Sequence, residues 1–277
     1  MIRYNMSKQI PLFYWSSKVF EKKDQENYGD ILSAQIVSWV SGKEVSFYNA
    51  PQKKKSWFKK SYLMAIGSIM NYTQPKAMVW GSGIISRKDQ FSNATFCAVR
   101  GPLSRKRILE LGYSCPEVYG DPAILLPDYY VPAIEKKYAY GFIPHYVDYD
   151  VVSGWYDTEE NTTVLNLIND DVYHTTDRIL ECKKIISSSL HGVIVAQTYG
   201  IPAVWVQFSN KLSGDNVKYD DYFLSVGITP YKPIFIEEKI PLQEYEAIFS
   251  TVETIPDIEK LKEVRIMLKN AFPKEFL

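Results

Sequence analysis

The run Ile185-Ile186-Ser187-Ser188-Ser189-Leu190-His191-Gly192 is where this sequence is best equipped for chemistry. An apolar segment leads into three hydroxyl residues, then into a helical period that Gly200 closes, with Pro202 beyond it. Serines at such a junction suit a helix N-cap, accepting bonds from the free amides of the first turn. Those amides and the helix dipole, equivalent to roughly half a positive charge, also form a site for phosphate or carboxylate. His191 lies on the same first turn, and its imidazole is the natural proton carrier near neutral pH. The same residues also fit a plainer reading, a capping serine cluster beside a histidine packed on a sheet.

Arg100-Gly101-Pro102-Leu103-Ser104 is a second centre. Arg100 follows an apolar run and precedes a helix start, where a forked guanidinium can clamp a carboxylate or phosphate. The competing reading pairs it with a structural acid such as Asp121. Asn27-Tyr28-Gly29-Asp30 opens the first helix; Asp30 caps it or touches a sugar hydroxyl, and capping is favoured. Gly81-Ser82-Gly83 follows a strand and permits close backbone approach to a ligand, yet lacks the third glycine of a dinucleotide site. Asp121 in Gly120-Asp121-Pro122-Ala123 has a buttressing role as its plainer alternative. His145 ends a strand at Ile143-Pro144-His145-Tyr146, and a charged loop from Gly214 to Tyr222 carries Lys218. The histidines 145, 174 and 191 are too scattered to specify a metal site, and no HExxH or CxxC spacing is present. Neither a GxSxG elbow nor a P-loop is found, which argues against serine hydrolases and nucleotide phosphotransferases.

Apolar runs of four to seven residues followed by helical periods position these groups, the pattern of βαβ units and a parallel sheet. Strands are expected at 11–15, 45–48, 77–80, 96–99 and 117–119, and helices over 31–40 (stopped by Gly42) and 102–111 (stopped by Gly112). The rhythm breaks near Leu126-Pro127-Asp128 and resumes with strands at 138–143, 163–168, 184–187, 203–206 and 233–236. Helices are expected at 175–182 and, amphipathic, at 258–271. The fold class is therefore α/β, with two doubly wound domains, 1–130 and 131–277, and a cleft between them. Ligands of such sheets sit beyond the carboxyl ends of the strands.

The chain has 277 residues with 46% hydrophobic side chains, too long and too apolar for a disordered chain or a disulfide-stapled miniprotein. Lysine plus arginine equal aspartate plus glutamate at 32 each, so no basic surplus points to nucleic acid. The densest positive run, Lys53-Lys54-Lys55 with Lys59-Lys60, reads first as a solvated loop and second as a peripheral contact with an anionic membrane. Three odd, separated cysteines, no apolar run near the ~20 residues of a membrane span, and no signal-like amino terminus lead us to expect a cytoplasmic protein. Aromatic residues reach 14%, including 21 tyrosines, most of them structural but some suited to stacking on sugar rings.

In order, Asn27-Tyr28-Gly29-Asp30, Trp80-Gly81-Ser82-Gly83, Val99-Arg100-Gly101-Pro102-Leu103-Ser104, Gly120-Asp121-Pro122-Ala123, Ile143-Pro144-His145-Tyr146, Ile186 to Gly192 and Lys218 to Tyr222 resemble the polysaccharide pyruvyl transferase family. Each piece is weak alone, and the ordered set is specific. The resemblance implies two Rossmann-like domains in a GT-B-like arrangement, an acceptor side carrying Arg100 and a donor side carrying His191. It implies pyruvate transfer from phosphoenolpyruvate to a sugar of an exopolysaccharide or capsule precursor, free or lipid-linked, as a cyclic ketal. The family's catalytic histidine matches His191 and its donor-binding arginine matches Arg100. Donor contacts are then expected from Ser187, Ser188, Ser189, Leu190, Gly192 and Lys218, and acceptor or cleft contacts from Asn27, Gly29, Asp30, Gly81, Ser82, Gly83, Asp121 and His145. No cofactor or metal is implied, and the enzyme would work in the cytoplasm, at the inner face of the plasma membrane for a lipid-linked acceptor. Many relatives have arginine two residues before the histidine, where this chain has Ser189; Arg100, the helix amides, Arg87 or Lys218 would then neutralise the donor. Two other readings remain open: a GT-B glycosyltransferase using a nucleotide sugar, and a non-catalytic glycan-binding assembly protein.

Overall fold

A computed structural model describes residues 9–50 and 61–277; the lysine-rich run lies outside them. In chain order the first half contains β1 (Ile10–Phe13), α1 (Ser17–Phe20), α2 (Tyr28–Ser41), β2 (Val45–Phe47), β3 (Tyr62–Met64), β4 (Ala77–Trp80), β5 (Thr95–Ala98) and α3 (Pro102–Glu110). A 3-10 segment, Pro122–Asp128, follows at the expected break. Next come β6 (Tyr138–Ile143), α4 (Tyr149–Tyr156), β7 (Thr162–Val164), α5 (Val172–Leu180) and β8 (Cys182–Ser187). The chain ends with α6 (Leu190–Thr198), β9 (Ala203–Gln207), α7 (Val217–Ser225), β10 (Ile234–Phe235), α8 (Leu242–Thr251) and α9 (Ile258–Asn270).

These strands build two five-stranded sheets, ordered β2-β1-β3-β4-β5 and β7-β6-β8-β9-β10. Among the described residues every strand-to-strand ladder is parallel. Both sheets follow one permutation, so each has a switch point where strand order reverses, between β1 and β3 and between β6 and β8. Strands covered on both faces must be apolar throughout, and alternate residues serve different cores. Leu63 enters a central core shared with Ile143, Ile185 and Trp205 of the other sheet. Its neighbours Tyr62 and Met64 enter a second core behind the first sheet. Phe142, Ile186 and Val204 form the matching core behind the second sheet. The central core packs the two halves directly onto each other.

Several elements depart from the sequence reading. β3 joins β1 to β4 in the middle of its sheet, but at three residues it is too short to show a period. The strand expected at 117–119 is a single bridge, Val99 to Tyr119. The charged loop of 214–222 contains the start of α7, whose buried side includes Tyr219, Tyr222 and Phe223. The closing helix α9 reaches back to the first half: Trp80 Nε1 donates to the Leu268 carbonyl at 2.8 Å, and Phe272 packs edge-on against the indole. Among the described residues no helix is long and apolar enough to cross a membrane.

Candidate functional site

A cavity of about 350 Å³ opens between the two switch points. Its lining comes from chain that follows strand ends: Trp15, Asn27 and Asp30 after β1, Ser68 and Tyr72 after β3, and Ile85 after β4. The second half contributes His145 and Tyr146 after β6, Ser189, Leu190 and His191 after β8, and Lys218 after β9.

The serine loop is braced from within. Ser187 Oγ donates to the Ile143 carbonyl at 2.8 Å and accepts from the Ser189 amide at 2.9 Å. Ser188 Oγ accepts from the His145 amide at 2.8 Å, tying the ends of β6 and β8 together. Tyr219, stacked on Trp205, donates its hydroxyl to the Ser188 carbonyl at 2.8 Å. Ser189 stands at the N-cap of α6 with no side-chain capping bond, so its hydroxyl is available to the cavity it lines.

His191 follows on the first turn of α6. Its Nε2 faces the buried Asp121 Oδ2 at 3.6 Å, and neither atom has a hydrogen-bond partner among the described residues. Its Nδ1 edge lies against Gly29, where an added Cβ would come within 2.1 Å of that nitrogen. Asn27, rather than Asp30, caps α2, its side chain accepting from the Gly29 amide. The Asp30 carboxyl is thereby freed for the cavity, where it forms no hydrogen bond or ion pair among the described residues. Burial raises its pKa from 3.8 to about 7, with His191 opposing the rise. Lys218 likewise lacks a hydrogen bond or carboxylate partner among the described residues. Burial and, after it, Arg100 lower its pKa to about 8. His145 is pushed down to about 4 by burial first and by Lys218 and Lys23 after it, so it is neutral at pH 7.

Other expected site residues stand behind the wall. Arg100 is fully buried, with Nε on Asp221 Oδ2 at 3.1 Å, Nη1 on Ser68 Oγ at 2.7 Å and Nη2 on the Ile84 carbonyl at 2.6 Å. The expected open guanidinium clamp is therefore closed by protein partners, and the acid involved is Asp221 rather than Asp121. Ser187, Ser188 and Gly192 are buried and support the loop instead of lining the cavity. Gly81, Ser82 and Gly83 also stay behind it: a Cβ on Gly81 would strike Pro122, one on Gly83 would strike the Arg100 guanidinium, and Ser82 Oγ donates to the Ala65 carbonyl. Gly29 and Asp121 touch the cavity only through His191. Arg87 pairs with Asp215 and Asp220 outside it. Sequence reasoning missed Ser68 and Tyr72, which follow the unread β3, and Trp15, whose place at the end of β1 was a usable signal. Among the described residues no group of three or more His, Cys, Asp or Glu side chains could hold a metal ion.

Two all-parallel sheets of one strand order, with facing switch points that share a cavity, place the chain among doubly wound α/β proteins that bind ligands at strand ends. The chain belongs to the polysaccharide pyruvyl transferase family, whose model matches residues 27–210. An uncharacterized protein of Acanthamoeba polyphaga mimivirus is 32% identical over 206 residues, 68% of this chain and 69% of that protein. The succinoglycan biosynthesis protein ExoV of Rhizobium meliloti (strain 1021) is 25% identical over 239 residues, 80% of this chain and 66% of ExoV. The chain thus spans about two thirds of the length of each relative. At family level this supports a transferase of pyruvyl groups in polysaccharide biosynthesis.

Proposed function

We propose that the protein transfers the pyruvyl group of phosphoenolpyruvate to a sugar of an exopolysaccharide or capsule precursor as a cyclic ketal, releasing phosphate. The observation that carries this reading is one cavity holding an imidazole, an ammonium with no carboxylate partner among the described residues and a carboxyl of raised pKa. Phosphoenolpyruvate brings a carboxylate and a phosphate. Lys218, Ser189 and the first amides of α6 meet those anions, while Arg100 acts from behind by holding Ser68 and adding its charge. Trp15, Tyr72 and Tyr146 line the same cavity and offer the acceptor sugar apolar aromatic surface. The two halves, 1–130 and 131–277, then serve as acceptor and donor lobes of a GT-B-like arrangement. A lipid-linked acceptor would be met in the cytoplasm at the inner membrane face.

The chemistry balances without a further cofactor. A proton is delivered to the enol methylene, leaving an electron-poor carbon that one sugar hydroxyl attacks. The bond from that carbon to the phosphate oxygen breaks, and a second hydroxyl closes the ketal ring. The two hydroxyls lose two protons; the new methyl group gains one and the departing phosphate the other. His191 is the proton-transfer group, a role worth on the order of 10²–10⁴-fold in rate. Confinement and charge complementarity supply the remainder.

Ligand-induced thermal shift tests the donor. Phosphoenolpyruvate stabilises the wild type, UDP and GDP do not, and Lys218→Ala weakens the phosphoenolpyruvate shift at least about tenfold in ligand concentration. Stabilisation by a nucleotide, with none by phosphoenolpyruvate, would overturn the reading in favour of a nucleotide-sugar transferase.

A further inference from the structure

Asp121 is buried from solvent completely, and its two oxygens have different fates. Oδ1 accepts from the Ala123 amide at 3.0 Å and so starts the 3-10 segment. Among the described residues Oδ2 has no hydrogen-bond partner, and His191 Nε2, itself buried and unpartnered, faces it at 3.6 Å. A buried carboxylate oxygen left unpaired costs about 1–3 kcal/mol or more. A contraction of a few tenths of an ångström, from 3.6 Å, would satisfy both atoms at once.

The surrounding backbone holds this encounter in place. Gly81 lets the Asp121-Pro122 turn approach its own chain, since a Cβ there would lie 2.3 Å from Pro122 Cδ. Gly29 lets the opposite edge of the ring lie against α2. Gly29 and Asp121 thus bracket the imidazole from opposite edges, and Gly81 acts one step further back by seating the Asp121-Pro122 turn.

We propose that Asp121 is the positioning residue of His191: it accepts the Nε2–H, fixes that tautomer, and leaves Nδ1 as the nitrogen that exchanges protons with substrate. When Nδ1 takes a proton from an acceptor hydroxyl, the buried carboxylate stabilises the imidazolium that forms, and no proton moves onto Asp121 itself. The catalytic part of this proposal rests on the pyruvyl-transfer reading; the tautomer does not.

Nitrogen-15 NMR of histidine-labelled full-length protein tests the tautomer directly, and three histidines make assignment by His145→Gln and His174→Gln straightforward. At a pH where the ring is neutral, His191 should show a protonated Nε2 and a pyridine-like Nδ1, and Asp121→Asn should shift this pattern. A protonated Nδ1 in the wild type overturns the proposal whatever the donor proves to be. Asp121→Asn keeps the oxygen that accepts from Ala123, so folding should persist by circular dichroism. With phosphoenolpyruvate and acceptor, this variant should lose on the order of 10²–10⁴-fold in kcat with donor KM within about threefold. Unchanged kcat overturns the positioning role, and absence of pyruvyl transfer in the wild type overturns only the pyruvyl-transfer reading.

Discussion

Asp30 shows how a neighbour's side chain decides what a residue does. Its position at the start of α2 suggests a cap, yet Asn27 accepts from the Gly29 amide first, so the Asp30 carboxyl turns to the cavity. Because burial raises its pKa from 3.8 to about 7, the folded state holds more protons than the unfolded state across that window. Stability therefore falls as pH rises through it. Asp30→Asn removes this penalty, so its melting temperature should clearly exceed that of the wild type at pH 8. At pH 3.5 the two proteins should melt alike, and thermal denaturation at both pH values checks this. Arg100 teaches the complementary lesson. Its place after a strand was legible in the sequence, but its partner Asp221 is 121 residues away, and no local pattern reveals such a pairing.

At the scale of elements, most strands were legible because sheets covered on both faces demand apolar runs, as at β4, β6 and β9. α7 was not, because its first turns carry Lys218, Asp220 and Asp221 among the aromatics that it buries. The contact of α2 with α6 is the most exacting element-level feature of the site. Gly29→Ala favours helix locally, by up to about 1 kcal/mol, but its methyl group collides with the His191 ring. This variant should keep its fold while turnover falls on the order of 10²-fold, the cost of about 1 Å of misplacement. Paired circular dichroism and kinetics would check it; full activity would contradict the contact.

The whole molecule is held as one body by polar links as well as by the central core. Asp221 on α7 receives Arg100 Nε, the amides of Leu103 and Ser104, and the Ser104 hydroxyl, all from the first half. Removing one partner of a buried ion pair costs about 3–5 kcal/mol because the other charge is left uncompensated. Asp221→Ala should lose that amount in denaturant unfolding; a loss under about 1 kcal/mol would contradict the link. The two parallel sheets were visible from strand rhythm, whereas the return of α9 to Trp80 was not, because an amphipathic pattern does not say which surface it covers. The cavity between the two switch points carries the central claim, and mass spectrometry of lipid-linked oligosaccharides incubated with phosphoenolpyruvate tests it most directly. Wild-type protein should add the pyruvate ketal mass with one phosphate released per transfer, and folded His191→Ala should add none. An equal mass gain with His191→Ala, or no gain from phosphoenolpyruvate with any acceptor that the wild type binds, would contradict it.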